Sequence, residues 1–287
     1  MLTDTEAALI YKGACVPEQL PHYVTSITGQ TARLHKGYVV FTTDSHLTFV
    51  GYPAVAGAVG LENAWKTACR RFCPETASVI APEIAFLKTA PHSTVSDDYF
   101  RLDLPCTHLQ QKRAYMIRRA GREVSVSKGA WSPAHEKLVA DFIRARRVDD
   151  AHARIFARIP DYLAAASPAC LLEARKGRAL SAFTVADFGS ADYAFYMFHF
   201  RSPDDFVPGT TDLLLWTLAE TAARKGKKAL NLGLGINEGN RRFKRHWGGG
   251  PFLKHMSATT ECPGFSWRVL GRTIRQMIAG GPPEGKT

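Results

Sequence analysis

The chain has 287 residues, of which 45% are apolar, 10% aromatic and 22% charged, a composition that excludes collagen-like, low-complexity and wholly disordered proteins. Thirty-seven Lys and Arg stand against 26 Asp and Glu, a formal charge of +11. That surplus favours a polyanionic partner such as nucleic acid, anionic lipid or a phosphorylated substrate.

The first residues are acidic, with neither a basic flank nor a long apolar run, so no secretory signal is expected. Tyr38-Val-Val-Phe-Thr-Thr and Leu47-Thr-Phe-Val, on either side of Asp44-Ser45, predict a β-hairpin. The uncharged stretch 47–61 falls short of the ~20 residues needed to span a bilayer, and Gly51, Pro53, Gly57 and Gly60 interrupt it. Residues 61–73 predict a helix, with Leu61, Trp65, Ala68 and Phe72 on one side. Strands follow at Ser78-Val-Ile-Ala and Tyr99-Phe-Arg-Leu-Asp-Leu, then a basic helix over 110–121 ending at Gly121. Ser132-Pro133 reads as an N-cap and first helical residue, opening a helix to about Arg147.

The second half has a cleaner rhythm. Cys170-Leu-Leu-Glu-Ala, Ala179-Leu-Ser-Ala-Phe-Thr-Val-Ala and Tyr193-Ala-Phe-Tyr-Met-Phe-His-Phe predict three antiparallel strands, with turns at Lys176-Gly177 and Gly189-Ser190. Thr211 or Asp212 then caps a helix stopping at Gly226. Ala229-Leu-Asn-Leu-Gly-Leu reads as a strand, 238–247 as a polar helix and 252–260 as a last strand. Trp267, Leu270, Ile274, Met277 and Ile278 oppose Arg268, Arg272 and Arg275 in an amphipathic helix over 267–278. Its apolar side suits packing on its own domain, with peripheral membrane contact as the alternative.

Six cysteines, at 15, 69, 73, 106, 170 and 262, read as reduced buried thiols of a cytoplasmic protein. Cys69 and Cys73 share a helix face, but no second pair completes a metal site, and none is expected. The ending Gly280-Gly-Pro-Pro-Glu-Gly-Lys-Thr287 matches a phosphate-loop pattern by letters but lacks the helix that must follow it. His199 and His246 are possible general bases, though a core or surface role suits each better.

Asn231-Leu-Gly-Leu-Gly, followed by Glu238-Gly-Asn-Arg-Arg-Phe-Lys-Arg-His-Trp-Gly-Gly, resembles the signature of the tRNA-dependent aminoacyltransferases. The similarity runs loosely from about residue 38 to 260. It is closer to the C-terminal catalytic domain of the phosphatidylglycerol lysyltransferases than to the Fem-type peptidoglycan enzymes. Gly51-Tyr52-Pro53 and the basic segment from Lys112 to Gly121 resemble features of the same domain. The resemblance implies an α/β (α+β) protein of two tandem GNAT-like units, with mixed central sheets flanked by helices. The units would be 1–124 and a catalytic 125–287.

Phe243 and Lys244 match a Phe-Lys pair that lies at the reacting ester, where the Lys offsets negative charge. Gly248 and Gly249 match small residues closing the helix. Arg242, Trp247, Asn231, Gly233 and Gly235 complete the expected substrate-binding set. The chain contains no counterpart of the transmembrane half of the lipid-modifying members, which weighs against a lipid acceptor.

Acyl transfer to an amine needs positioning and donors aimed at the developing oxyanion. A Lys on a helix just past a strand end, beside Gly-rich backbone, suits that task. The donor is open between aminoacyl-tRNA and acyl-CoA, with no tightly bound cofactor expected. The loop Arg201-Ser-Pro-Asp-Asp-Phe-Val-Pro-Gly-Thr-Thr carries two carboxylates where a CoA pyrophosphate loop carries glycines, which favours tRNA. From Lys112 to Arg147 the chain has ten Lys and Arg against three Asp and Glu. Lys112, Arg113, Arg118 and Arg119 are the candidate phosphate contacts. A lipid, peptide or small-molecule acceptor is expected. A non-catalytic RNA- or membrane-binding protein of the same fold is the reading from another class.

Overall fold

Short apolar strands separated by turns and amphipathic helices assemble here into a single continuous sheet. The computed structural model describes residues 1–87, 93–107, 109–165 and 168–262. Helix α1 (Asp4–Gly13) starts at a reciprocal capping box between Thr3 and Glu6 and leads through a 3-10 turn at Pro17–Gln19 to α2 (Pro21–Thr28). Strands β1 (Thr31–His35), β2 (Tyr38–Thr42) and β3 (His46–Pro53) form an antiparallel meander containing the expected hairpin. Helix α3 (Leu61–Phe72) crosses to β4 (Thr76–Ala81), parallel to β3. Strand β5 (Ser93–Asp103) and helix α4 (Gln111–Glu123) follow.

The second half repeats the scheme. Strand β6 (Ser125–Gly129) precedes helices α5 (Pro133–Arg146), α6 (Asp150–Ala157) and α7 (Ile159–Ala165). Strands β7 (Ala169–Lys176), β8 (Ala179–Asp187) and β9 (Tyr193–Arg201) are antiparallel. Helix α8 (Thr210–Arg224) crosses to β10 (Ala229–Leu234), parallel to β9, before α9 (Glu238–His246) and β11 (Gly250–Glu261).

The strand order β1-β2-β3-β4-β11-β5-β10-β9-β8-β7-β6 joins the halves by exchange. Strand β11 of the second half lies between β4 and β5, and β5 of the first half lies between β11 and β10. The expected mixed α/β units thus share one 11-stranded sheet.

Helices α4 and α8 cover a cluster built on Phe100, Leu214, Leu218, Leu230, Leu232 and Trp247. Helices α5 and α7 cover Phe183 and Phe200, α1 and α2 cover Val39 and Phe41, and α3 covers Val40 and Phe49. Each fully buried Leu or Phe contributes about 1.5–3 kcal/mol.

Three local expectations are corrected. Helix α4 does not end at Gly121 but runs to Glu123, because Ala120 and Val124 are buried in the cluster it shares with α8. Helix α8 is not capped by Thr211 or Asp212. Gly209 is its N-cap, at φ 94°, and a Cβ there would lie 2.3 Å from the Met116 carbonyl oxygen. Cys73 is exposed at the left-handed end of α3, so it leaves the Cys69 face, and Cys69 Sγ instead lies 3.7 Å from Cys262 Sγ.

Among the described residues no helix is long and apolar enough to cross a membrane, and no group of three or more His, Cys, Asp or Glu could hold a metal. The stretches 267–278 and 280–287 lie outside the described residues.

Asp187, fully buried at the end of β8, ties the N-terminal helices to the second half. Its Oδ2 accepts from Tyr162 Oη at 2.5 Å and lies 2.6 Å from His22 Nε2, while Oδ1 accepts from the Gly189 N–H at 2.7 Å. Burial pushes the carboxyl up, but His22, Tyr162 and Gly189 outweigh it and hold the pKa below the ordinary value. A depressed carboxyl stabilises the fold above its unfolded pKa and loses that contribution as pH falls through its folded one. Asp187→Ala is expected to cost about 3–5 kcal/mol at pH 7 and progressively less below about pH 4. Urea unfolding at both pH values measures this.

Candidate active site

The parallel strands β9 and β10 stay paired only from Tyr193↔Ala229 to Phe195↔Asn231. Beyond that point β9 continues to Arg201 without its partner, and the two strands diverge into a wedge. Asn231 stands at the divergence, fully buried. Its Oδ1 accepts from the Gly233 N–H at 2.7 Å and its Nδ2 donates to the Cys15 carbonyl at 2.8 Å. Gly233, at φ 74°, forms the bulge that shifts β10 against β5.

The chain then turns sharply. The Gly235 N–H donates to the Asp98 carbonyl at 3.0 Å, Ile236 is left-handed at φ 60°, and Asn237 caps α9 by accepting from the Asn240 N–H at 2.9 Å. This turn sends the last turn of α9 back toward the wedge. Lys244 is the one buried residue of that helix. Its Nζ donates to the Leu234 carbonyl and stands 5.7 Å from the centre of the Phe100 ring. A Cβ placed on Gly233 would lie 3.9 Å from that Nζ and 3.9 Å from the Tyr196 carbonyl oxygen, so the ammonium faces the gap between β9 and β10.

No carboxylate forms an ion pair with Lys244 among the described residues. Desolvation drives its pKa down from 10.5 to about 7; Asp97 opposes the shift and Arg241 adds to it.

Helices α4, α8 and α9 meet at one corner beside the wedge. Asp212, in the first turn of α8, accepts from Arg113 Nη1 at 2.7 Å and from Trp247 Nε1 at 2.9 Å. Arg113 also lies 3.1 Å from His246 Nδ1 and stacks 5.7 Å from the Phe243 ring. With Gly209 packed on the Met116 carbonyl, α4 covers the N-terminus of α8.

His199 bridges Thr184 Oγ1 at 2.9 Å and Thr211 Oγ1 at 3.0 Å. Burial lowers its pKa to about 4, with Arg201 adding to the shift, so this half-buried histidine is neutral. His246 is exposed.

The expected residues therefore divide into groups. Lys244, Asn231, Gly233, Gly235, Trp247 and Gly249 come together around the β10–α9 turn, with Phe243 half-buried beside them. Gly249 must be small, since a Cβ there would lie 2.8 Å from Leu232 Cδ1; Gly248 is exposed at φ 83°. Arg242 faces solvent on α9, and Lys112, Arg118 and Arg119 lie exposed on α4. Arg113 belongs to the interior corner. Asp97 and the Leu234 carbonyl carry no signal in the sequence, and Asp212, expected as a helix cap, instead holds Arg113 and Trp247. Asp97 contacts Arg241 across 144 residues, and no local pattern signals such a pair.

No protein-family model matches the sequence, and no curated protein matches it. Solved structures match through nearly the whole chain. FemX superposes with a TM-score of 0.61 at 11% identity, over 98% of this chain and 99% of that one. The C-terminal DUF2156 domain of an Agrobacterium fabrum protein assigned as a lysylphosphatidylglycerol synthetase gives 0.60 at 11% identity, over 96% and 97%. A tandem GNAT protein from the clavulanic acid biosynthesis pathway gives 0.54 at 11% identity, over 91% and 97%. The exchanged sheet with its two parallel crossovers is thus the tandem GNAT fold, which this chain shares with FemX and the DUF2156 domain.

Proposed function

We propose that this chain is an acyltransferase that moves an aminoacyl group from aminoacyl-tRNA to an amine or hydroxyl of a lipid, peptide or small molecule. The observation that carries the reading is Lys244, a buried cation with no carboxylate partner among the described residues, at the mouth of the β9–β10 wedge. Such a charge is costly in the resting fold. A substrate carbonyl that becomes an oxyanion would supply the missing counter-charge.

In this mechanism the acceptor's amine or hydroxyl attacks the ester carbonyl, and negative charge builds on its oxygen. Lys244 would stabilise that charge, with the chain around Phe243 shaping the site. The attack itself forms the new C–N or C–O bond, and collapse of the resulting tetrahedral intermediate restores the carbonyl and breaks the ester bond to the ribose. The acceptor's proton leaves with the ribose hydroxyl. Residues 1–124 and 125–287 are proposed as the two units, with β5 and β11 exchanged between them.

Two features support an RNA-borne donor over acyl-CoA in the second unit. The N-terminus of α8 is covered by α4 and carries the Asp212 carboxylate, leaving it poorly suited to a pyrophosphate. Helix α4 presents Lys112, Arg118, Arg119 and Arg122 to solvent around Tyr115, which is 57% exposed, a combination suited to phosphates and a stacked base. The alternative, a CoA-dependent N-acyltransferase, is favoured by a cavity of about 800 Å³ at the N-terminus of α3, lined by Gly60, Leu61 and Asn63. Glu62 and Glu83 share that lining and oppose an anion.

Titration with charged tRNA, uncharged tRNA and acyl-CoA separates the readings. Preference for charged tRNA is expected; CoA-only binding would favour a thioester donor held at the N-terminus of α3. Indifference to charging would leave a non-catalytic binding protein. Replacing Lys112, Arg118 and Arg119 with Glu is expected to weaken tRNA binding and flatten its log-log salt dependence by about one for each phosphate no longer neutralised. An unchanged slope would remove α4 from the interface.

A further inference from the structure

We infer that Asp97, on the exchanged strand β5, is a positioning residue for Lys244, lent by the first half of the chain to the helix that carries the chemistry in the second. The inference rests on the proposed role of Lys244 and adds a residue that no part of the motif contains.

The Asp97 carboxylate is 7% exposed and is used on every side. Its Oδ1 accepts from Arg241 Nη2 at 2.7 Å and from the Asp98 N–H at 2.8 Å, while Oδ2 accepts from the Ile236 N–H at 2.6 Å. The Ile236 bond falls on a left-handed non-glycine residue, a conformation that persists only when its surroundings hold it. Gly235 has to be glycine for the contact to exist, because a Cβ there would lie 2.7 Å from Asp97 Oδ1 and 2.5 Å from Arg241 Nε. Arg241 precedes Lys244 by three residues on α9, so the two share a helix face. One carboxylate therefore fixes both the turn entering α9 and the rotation of the helix that aims Lys244 into the wedge.

Charge works in the same direction. Around Lys244, Asp97 on β5 favours the ammonium, and Arg241 on the lysine's own helix opposes it. Arg245 on α9 shares the Phe100 ring with it. On β11, His255 lies opposite Asp97 in register and feels its charge, and Lys254 pairs with the neighbouring Asp98 at 2.8 Å. Asp97 is the anion among these that offsets Arg241.

The test compares full-length Asp97→Asn and Arg241→Met with the parent. The readouts are side-chain NMR of ¹⁵N-lysine-labelled protein, with the Lys244 signal assigned by its loss in Lys244→Arg, and aminoacyl transfer as a function of pH. Asp97→Asn should lower the Lys244 titration midpoint by about one pH unit and Arg241→Met should raise it, opposite shifts that general loosening would not produce. In Asp97→Asn, kcat should fall at least tenfold with little change in KM for aminoacyl-tRNA, and the alkaline limb of the pH profile should move with the NMR midpoint. Folded variants with an unmoved Lys244 midpoint would overturn the inference. Opposite NMR shifts in a protein with no aminoacyl transfer would uphold the coupling and overturn the function proposed for the site.

Discussion

Lys244→Met is expected to remove acyl transfer and at the same time make the protein harder to unfold. Losing a single oxyanion donor costs about 10²–10³ in turnover, so a fall of at least tenfold is the minimum. Stability moves the other way. The folded chain holds this amine at a pKa of about 7 against 10.5 in the open, by desolvation first. The unfolded chain therefore binds more protons between those values, and stability of the parent rises with pH across that window. Methionine fills similar space without a charge to desolvate. After allowing for the missing bond to the Leu234 carbonyl, it should gain about 2–4 kcal/mol at pH 7. The variant's urea midpoint should lack the parent's rise between pH 7 and 10. Transfer by the parent should decline as pH rises through about 7, because the ammonium is the stabilising form. A Lys244→Met protein that keeps its activity would take Lys244 out of the mechanism.

Asp212→Ala should be the most damaging single change at the three-helix corner. It strips the partner from the half-buried Arg113 guanidinium and from the indole N–H of Trp247, which is only 3% exposed. Breaking a buried pair from one side costs about 3–5 kcal/mol, and a chain of this size should melt roughly 5 °C lower or more. Asp212→Asn, which can still accept from Trp247, should lose about half as much. Activity should fall further than stability explains, because Trp247 closes α9 three residues after Lys244. Differential scanning calorimetry alongside transfer assays at a temperature where both variants are folded separates the two effects.

Local physics made much of this architecture readable. The Asp44-Ser45 turn, the Ser132-Pro133 start of α5 and the three aromatic and β-branched runs of β7 to β9 each carry their own signal within a few residues. The crossover through α8 and the β10–α9 segment were likewise legible, and with them the place of Lys244 on the helix that follows β10. What escaped depends on distant partners. The first half of β5, Ser93-Thr-Val-Ser-Asp-Asp, is polar and lies ahead of the strand expected from Tyr99; it is a strand because β11 pairs with it along that length. Asp97 has no partner within reach along the chain and Asp212 reads as a helix cap, until β5 and α8 bring Arg241, Arg113 and Trp247 to them. Asn231 was expected at substrate, yet both ends of its amide are committed to backbone at Gly233 and Cys15. The Thr3–Glu6 capping box is a local signal for α1 that apolar periodicity does not contain.

The crossing of β5 and β11 has a consequence for how the molecule holds together. Each half leaves its neighbour's innermost ladder unfinished, so neither can melt without exposing a row of backbone amides in the other. Unfolding is thereby welded into a single event, even though the chain was built by repeating one scheme. Nicking the connection between the halves would leave the fragments interlocked, like two combs pushed tooth into tooth.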